Sequence, residues 1–272
     1  MKKAFKILTA ILCVAVIVGA CCALVACNND KTGLEDGVLN VATNCEFDPF
    51  EFLDDGGKPT GIDMDIMKAI ADELGVSLKI SDMAFESVVG SVGSGTNDIA
   101  AAGLTVDEER KQSVDFTQTY FSSSQVVIAK TGNAILSLTE KADIEAMLSG
   151  KTIGVQNGTT GYKYASGDSD DYDGLNATVT GYASGSLAVQ ALLNGQVDYV
   201  IIDAVPAAKL AEANQGVAVS DVVLTGEDYA FAVKKGNKEL LDKINAAMDK
   251  LIANGTIEQI FQNYGLTSGL GA

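Results

Sequence analysis

The chain contains no histidine and no tryptophan, and only 3 prolines in 272 residues. Without histidine, neither a Ser-His-Asp nor a Cys-His catalytic unit can form, and the usual zinc-ligand sets are missing too. Of the 5 cysteines, Cys13, Cys21, Cys22 and Cys27 crowd into the N-terminal segment, which leaves Cys45 alone in the remainder. One thiol cannot make an internal disulfide, so packing rather than cross-linking must hold the fold. Basic residues are scarce as well: 19 Lys and Arg stand against 36 Asp and Glu, a net charge of −17. So acidic a surface repels nucleic acid and anionic lipid headgroups, and favours solubility. It identifies no ligand by itself.

The one long apolar run lies at the N-terminus. Lys2, Lys3 and Lys6 precede a stretch from Ile7 to Ala26 that only Thr9 and Gly19 interrupt. A basic region followed by an apolar one reads as an export signal. Its end, Leu24-Val25-Ala26-Cys27, resembles the bacterial lipobox. That resemblance implies a signal peptide over residues 1–27, with Cys27 lipidated. The competing reading is an uncleaved anchor, since about 20 apolar residues span a bilayer. Either way the remainder is exported and tethered to the cell membrane, on its outer face or in a periplasm. Residues 28–37 are polar, include Gly33 and read as a flexible tether.

Past the tether, strand and helix patterns alternate. Residues 38–42 form a strand candidate. Ile62, Ile66, Met67, Ile70 and Leu74 recur at helical spacing before Gly75, which predicts a helix over 62–74. Strands at 77–80, 98–102 and 126–129 and a helix at 87–92 follow. The pattern then restarts with a strand at 151–156, a helix at 186–193 and a strand at 198–202. The stretch from Ser94 to Thr105 and that from Asn194 to Asp203 share one grammar: a helix-ending Gly, an Asp, an apolar strand and a polar tip. This suggests an internal pseudo-repeat. A strand at 229–233 and helices at 240–252 and 256–264 close the chain. The alternation predicts an α/β fold with central, mostly parallel sheets flanked by helices. The restart predicts an inserted lobe: residues 38–128 and 223–272 form lobe 1, and residues 129–222 form lobe 2. Two hinge strands would cross in parallel near 128–130 and 222–225, a geometry suited to closure on a ligand.

In open α/β sheets, ligands bind beyond the carboxyl ends of the strands. Asn44, Phe47 and Phe50 follow the first strand; Gly103, Leu104, Thr105 and Arg110 follow the strand at 98–102. Gln156, Gly158, Thr159 and Thr160 end the strand at 151–156, and Asp203 ends the one at 198–202. Arg110 offers a planar fork for a carboxylate. Residues 158–160 add backbone N–H groups and hydroxyls. Thr105 and the Gly103 carbonyl can accept from an ammonium, Asp203 supplies its counter-charge, and Phe47 and Phe50 supply apolar walls. Each residue also has a structural reading. Arg110 could pair with Glu108 or Glu109, Asp203 could cap a helix near Val205, and the phenylalanines could be core. A cation, an anion and a donor-rich loop at matching strand ends favour an α-amino acid as ligand.

Six segments then fall in an ordered series: Phe47-Asp-Pro-Phe-Glu51, Gly61-Ile-Asp-Met-Asp-Ile66, Ala102-Gly-Leu-Thr-Val-Asp-Glu-Glu-Arg110, Gly154-Val-Gln-Asn-Gly-Thr-Thr160, Asp198-Tyr-Val-Ile-Ile-Asp203 and Tyr229-Ala-Phe-Ala-Val-Lys-Lys-Gly236. The series resembles the extracytoplasmic solute-binding proteins (family 3) of polar amino-acid ABC transporters, in their lipoprotein form. The resemblance implies a two-lobed, type II periplasmic-binding-protein-like fold. It implies a monomer that delivers a free amino acid to an ABC permease, without cofactor, metal or catalytic residue. It assigns Arg110 and Thr160 to the α-carboxylate, and Gly103, Thr105 and Asp203 to the α-ammonium. Phe47, Phe50 and Phe85 would line the side-chain pocket. Departures are Leu104 where Met is frequent, Thr119 where Pro is usual, and Asn44 where some basic-amino-acid binders carry Asp. The last weighs against Lys or Arg as ligand, although Glu46 could still offer a negative charge. The alternatives are an exported cyclohexadienyl or arogenate dehydratase-like enzyme, with Glu46 and Asp203 as its acid–base candidates, and a sensor lobe. The end of the chain at Ala272, with no later membrane segment, weighs against the sensor.

Overall fold

The computed structural model describes residue 34, residues 36–268 and residue 270. The expected export signal, Cys27 and most of the tether lie outside the described residues. Among the described residues, no helix is long and apolar enough to cross a membrane.

The chain enters through β1 (Val38–Thr43) and a small antiparallel sheet of β2 (Glu46–Phe47), β3 (Glu51–Leu53) and β4 (Pro59–Thr60). Helix α1 (Ile62–Leu74) covers the span its periodicity predicts. Ile62, Ile66, Met67 and Ile70 are fully buried on one face, and Gly75 ends the helix in the left-handed conformation. Then come β5 (Ser77–Asp82), α2 (Phe85–Gly93), β6 (Ile99–Ala100), β7 (Val114–Phe116), β8 (Phe121–Ser123) and β9 (Gln125–Lys130). The middle of the chain supplies α3 (Lys141–Leu148), β10 (Thr152–Gln156), α4 (Thr160–Ser166), β11 (Thr178–Tyr182), α5 (Gly185–Leu193), β12 (Tyr199–Asp203), α6 (Ala204–Ala213) and β13 (Val217–Val219). The chain closes with β14 (Glu227–Tyr229), β15 (Ala232–Lys234), α7 (Lys238–Ala253) and α8 (Thr256–Asn263).

Two five-stranded sheets carry the fold, ordered β5-β1-β6-β15-β7 and β11-β10-β12-β9-β13. In each, the first three strands are parallel and the fourth is antiparallel to both of its neighbours. The fourth strand is the one that arrives from the other sheet: β9 follows β8, and β15 follows β14. The suspected repeat has a structural basis. Asp98 donates its N–H to Asn40 O and accepts the Asn40 N–H on its carboxylate, both at 2.8 Å. Asp198 treats Thr152 the same way, at 2.8 and 2.9 Å. Each aspartate thus ties the start of the third strand of its sheet to the start of the second.

Three expectations need correction. The crossings are β8 and β14, which pair antiparallel (Tyr229↔Phe121, Glu227↔Ser123), and do not lie near 128–130 and 222–225. The whole of β9 is paired inside the second sheet. The reason is burial: Val127, Ile128 and Ala129 are core, whereas the polar run at 122–124 can bridge. The expected strand at 229–233 is two strands, because the chain leaves β8 at Tyr229 and joins β6 and β7 at Ala232. The expected strand at 98–102 pairs only at Ile99–Ala100, since the chain then turns toward Gly103. Aromatic rings pack beside the crossing. Tyr120 stacks on Phe231 at 4.4 Å, and Phe50 meets Phe121 at 5.1 Å and the edge of Tyr229 at 5.2 Å.

Candidate ligand-binding site

The carboxyl ends of β1, β10 and β12 and the loop after β6 converge on a small, largely closed pocket. The first sheet's side contributes Asn44, Phe47, Phe85, Gly103, Thr105 and Arg110, and the second contributes Gln156, Thr159, Thr160 and Asp203. Residues far apart in the chain meet here because both sheets point the same ends inward.

Gly103 turns the chain with φ 50°, and a Cβ there would lie 2.8 Å from the Phe47 ring. Only glycine fits such a backbone this close to an aromatic face. Its N–H donates to Asp63 Oδ2 at 2.9 Å, and Tyr120 O–H donates to Asp63 Oδ1 at 2.7 Å. Asp63, in the first turn of α1, is completely buried, and burial pushes its carboxyl up to about 6. It anchors the loop that carries Gly103 and Thr105.

Arg110 is 6% exposed. Its backbone N–H donates to Asp107 Oδ1 at 2.6 Å, and its Nε stands 3.3 Å from Asp107 Oδ2. One terminal nitrogen donates to Thr105 O at 2.7 Å and the other to Gly158 O at 3.1 Å. A guanidinium has five N–H groups; these contacts leave one donor on each terminal nitrogen, and guanidinium donors of this kind suit a carboxylate. Burial draws the Arg110 pKa down, while Asp107, Glu227 and Asp203 act the other way. The Phe85 ring lies 5.5 Å from the guanidinium carbon.

Asp203 starts α6 but makes no side-chain cap. Its carboxylate accepts instead from Tyr229 O–H and, at 3.3 Å, from Ser123 O–H. Burial, and then the neighbouring charge of Glu227, pushes it up to about 7. Glu227 itself accepts from Thr105 Oγ1 and Thr225 Oγ1, each at 2.8 Å. Thr159 spends its hydroxyl on the second half: it donates to Gln156 O at 2.8 Å and accepts the Tyr162 N–H at 3.2 Å. Thr160 Oγ1 is buried without a hydrogen-bond partner among the described residues.

Contacts also join the two halves around the cavity. Gln156 Nε2 donates to Asn44 Oδ1 at 2.9 Å. Lys163, on α4, reaches Asp107 at 2.9 Å and Glu109 at 2.7 Å. Burial alone would raise Asp107, yet Arg110 and Lys163 hold its carboxyl below the usual range.

Phe50, Leu104 and Gly158 do not line the cavity. Phe50 is fully buried behind Phe47, in the aromatic cluster beside the crossing. Leu104 packs inward with Ala42, Val88 and Val92. Gly158 serves through its carbonyl, which Arg110 holds. Arg110 pairs with Asp107 rather than with Glu108 or Glu109. Sequence reasoning missed Asp63, Asp107, Lys163 and Glu227 as residues that position the site. Asp63 and Asp107 sat inside segments already singled out. Lys163 and Glu227 gave no local signal, since the site residues they hold, Asp107 and Thr105, lie 56 and 122 residues away in the chain. Among the described residues, no group of three or more Cys, Asp or Glu is placed to hold a metal ion.

Residues 39–267 match the family model of the bacterial extracellular solute-binding proteins, family 3. The arginine-binding extracellular protein ArtP of Bacillus subtilis (strain 168) is 30% identical over 251 residues, spanning 90% of this chain and 94% of that one. An ancestral arginine-binding protein solved with arginine bound is 37% identical, with a TM-score of 0.75 over 84% of this chain and 98% of its own. An ancestral arginine-binding protein solved with glutamine bound is 36% identical, with a TM-score of 0.74 over 84% of this chain and 97% of its own. The ancestral amino acid-binding protein AncCDT-1, a precursor of cyclohexadienyl dehydratase, is 30% identical with a TM-score of 0.74 over 84% and 96%.

Proposed function

The chain belongs to the bacterial extracellular solute-binding proteins, family 3, and from that premise we propose that it captures a free L-amino acid by closure of two lobes and delivers it to an ABC permease. The carrying observation is the pair of opposite charges in one cavity. Arg110 keeps two N–H donors for an α-carboxylate, and Asp203 supplies the counter-charge for an α-ammonium. Thr160 Oγ1 is a further donor for the carboxylate, and Thr105 with the Gly103 carbonyl completes the ammonium site. The two sheets act as the lobes, and β8 with β14 acts as the hinge. The Asn44–Gln156, Arg110–Gly158 and Lys163–Asp107 contacts join the lobes when closed. Capture of this kind requires only a higher affinity for ligand in the closed state, and no catalytic step. AncCDT-1 is itself an amino acid-binding protein by name, so its likeness supports the same reading. The working unit is a monomer, held at the outer face of the cytoplasmic membrane by a lipid on Cys27 and a tether over residues 28–37.

Thermal unfolding against the twenty amino acids tests this. Ligand at about 100 times its dissociation constant adds about 2.7 kcal/mol of stability, or about 5–10 °C for a domain of this size. Arg110→Ala, folded by circular dichroism, should abolish the shift. The proposal fails if no amino acid raises the midpoint, or if the variant responds as the parent does.

A further inference from the structure

Arg110 and Asp203 are the only ionisable side chains among the residues that line the cavity. In the reading above, one meets the α-carboxylate and the other the α-ammonium. No charge is left for the ligand's side chain, and Glu46, which could have supplied one, is exposed and outside the lining. A cationic or anionic side chain would enter a buried space without a partner, at a desolvation cost that nothing there offsets.

What the cavity does hold is a pair of neutral amides. Asn44 follows the end of β1, and Gln156 ends β10. Their orientation is set by a third group. Asn44 Nδ2 donates to the backbone carbonyl of Met83 at 2.9 Å, and a carbonyl can only accept. Asn44 must therefore turn its oxygen toward Gln156, and Gln156 must turn its NH2 toward Asn44, at 2.9 Å. Gln156 is left with a second N–H and with Oε1, which is buried and has no hydrogen-bond partner among the described residues. The residue is 3% exposed, so water cannot readily satisfy that oxygen, and an unmet buried acceptor is costly.

We propose that Asn44 and Gln156 read the ligand's side chain and select a primary amide, that of glutamine or asparagine. This rests on the amino-acid reading of the same cavity. A primary amide donates N–H to Gln156 Oε1 and accepts the remaining Gln156 N–H on its own oxygen. Guanidinium and ammonium groups only donate and a carboxylate only accepts, so each leaves one half of the Gln156 edge unmet and adds an uncompensated charge. Phe47 and Phe85 provide apolar walls for the methylene stem.

Calorimetric titration of the full-length chain in detergent with glutamine, asparagine, arginine, lysine, histidine, glutamate and norvaline tests the assignment. Glutamine or asparagine should bind about 100-fold more tightly than every other ligand in the set. If arginine, lysine, histidine, glutamate or norvaline binds as tightly, the side-chain assignment falls while the amino-acid reading stands. If none of them binds and no other amino acid does, both fall. Asn44→Asp and Gln156→Glu should each move the preference from amide toward arginine by about tenfold or more. An unchanged amide-to-arginine ratio in both variants removes these two residues from recognition.

Discussion

Burial decides what Asp203 can do at a given pH. Taken out of water beside Glu227, its carboxyl is pushed from 3.8 up to about 7. The folded chain thus holds a proton that the unfolded chain has already released. The contribution of Asp203 to stability is full below about pH 4 and is lost as the pH rises to about 7. An α-ammonium ligand asks for the opposite, because it pairs only with the carboxylate. Affinity should rise with pH up to about 7 and then level off, by as much as about one log unit per pH unit on the acid side. Calorimetry across pH, in buffers of different ionisation heat, should show proton release near pH 6. A flat affinity between about pH 5 and pH 8 would remove Asp203 from the ammonium site. At this scale Arg110 and Asp203 were legible because strand ends are ligand positions in α/β sheets. Asp63 was not: its role depends on Gly103 and Tyr120, 40 and 57 residues along the chain.

Among the elements, α4 is short but carries a contact between the halves. Lys163 reaches two acids of the loop after β6 and is itself only 11% exposed. Lys163→Ala removes one side of a shielded pair, while Asp107 keeps Arg110. Ligand affinity should fall by about 1–2 kcal/mol, or about 5- to 30-fold, through faster dissociation. Stopped-flow release of bound amino acid measures this. An unchanged off-rate would deny the contact a part in closure. The elements themselves show what periodicity can and cannot tell. Helix α1 matched its predicted span because one apolar face meets a core over its whole length. The run at 229–233 reads as one strand in any window, yet its two ends find partners in different sheets.

For the whole molecule, two sheets of the same order are joined by a pair of antiparallel strands. Lobes joined in this way can swing while the cores of both sheets stay packed. The proposed lipid anchor on Cys27 belongs to this scale too. Cys27→Ser should move the protein from the membrane fraction to the soluble one on cell fractionation, because the acyl chains would be lost while the rest of the chain is unchanged. Retention in the membrane would point to an uncleaved helix instead.

Composition and order along the chain were enough to point to export, to predict an α/β architecture and a repeated strand grammar, and to single out candidate ligand residues at four strand ends. These follow from local physics: apolar runs, helical periodicity, and residue types that offer one charge or one donor set. Tertiary structure alone decided that the crossing runs through β8 and β14, and that Phe50 and Leu104 belong to the core. It also decided that Lys163 faces Asp107 and that the amides of Asn44 and Gln156 meet. The last two pairs are 56 and 112 residues apart. Nothing near either partner in the chain announces the other; only the folded geometry of both sheets brings them within bonding distance.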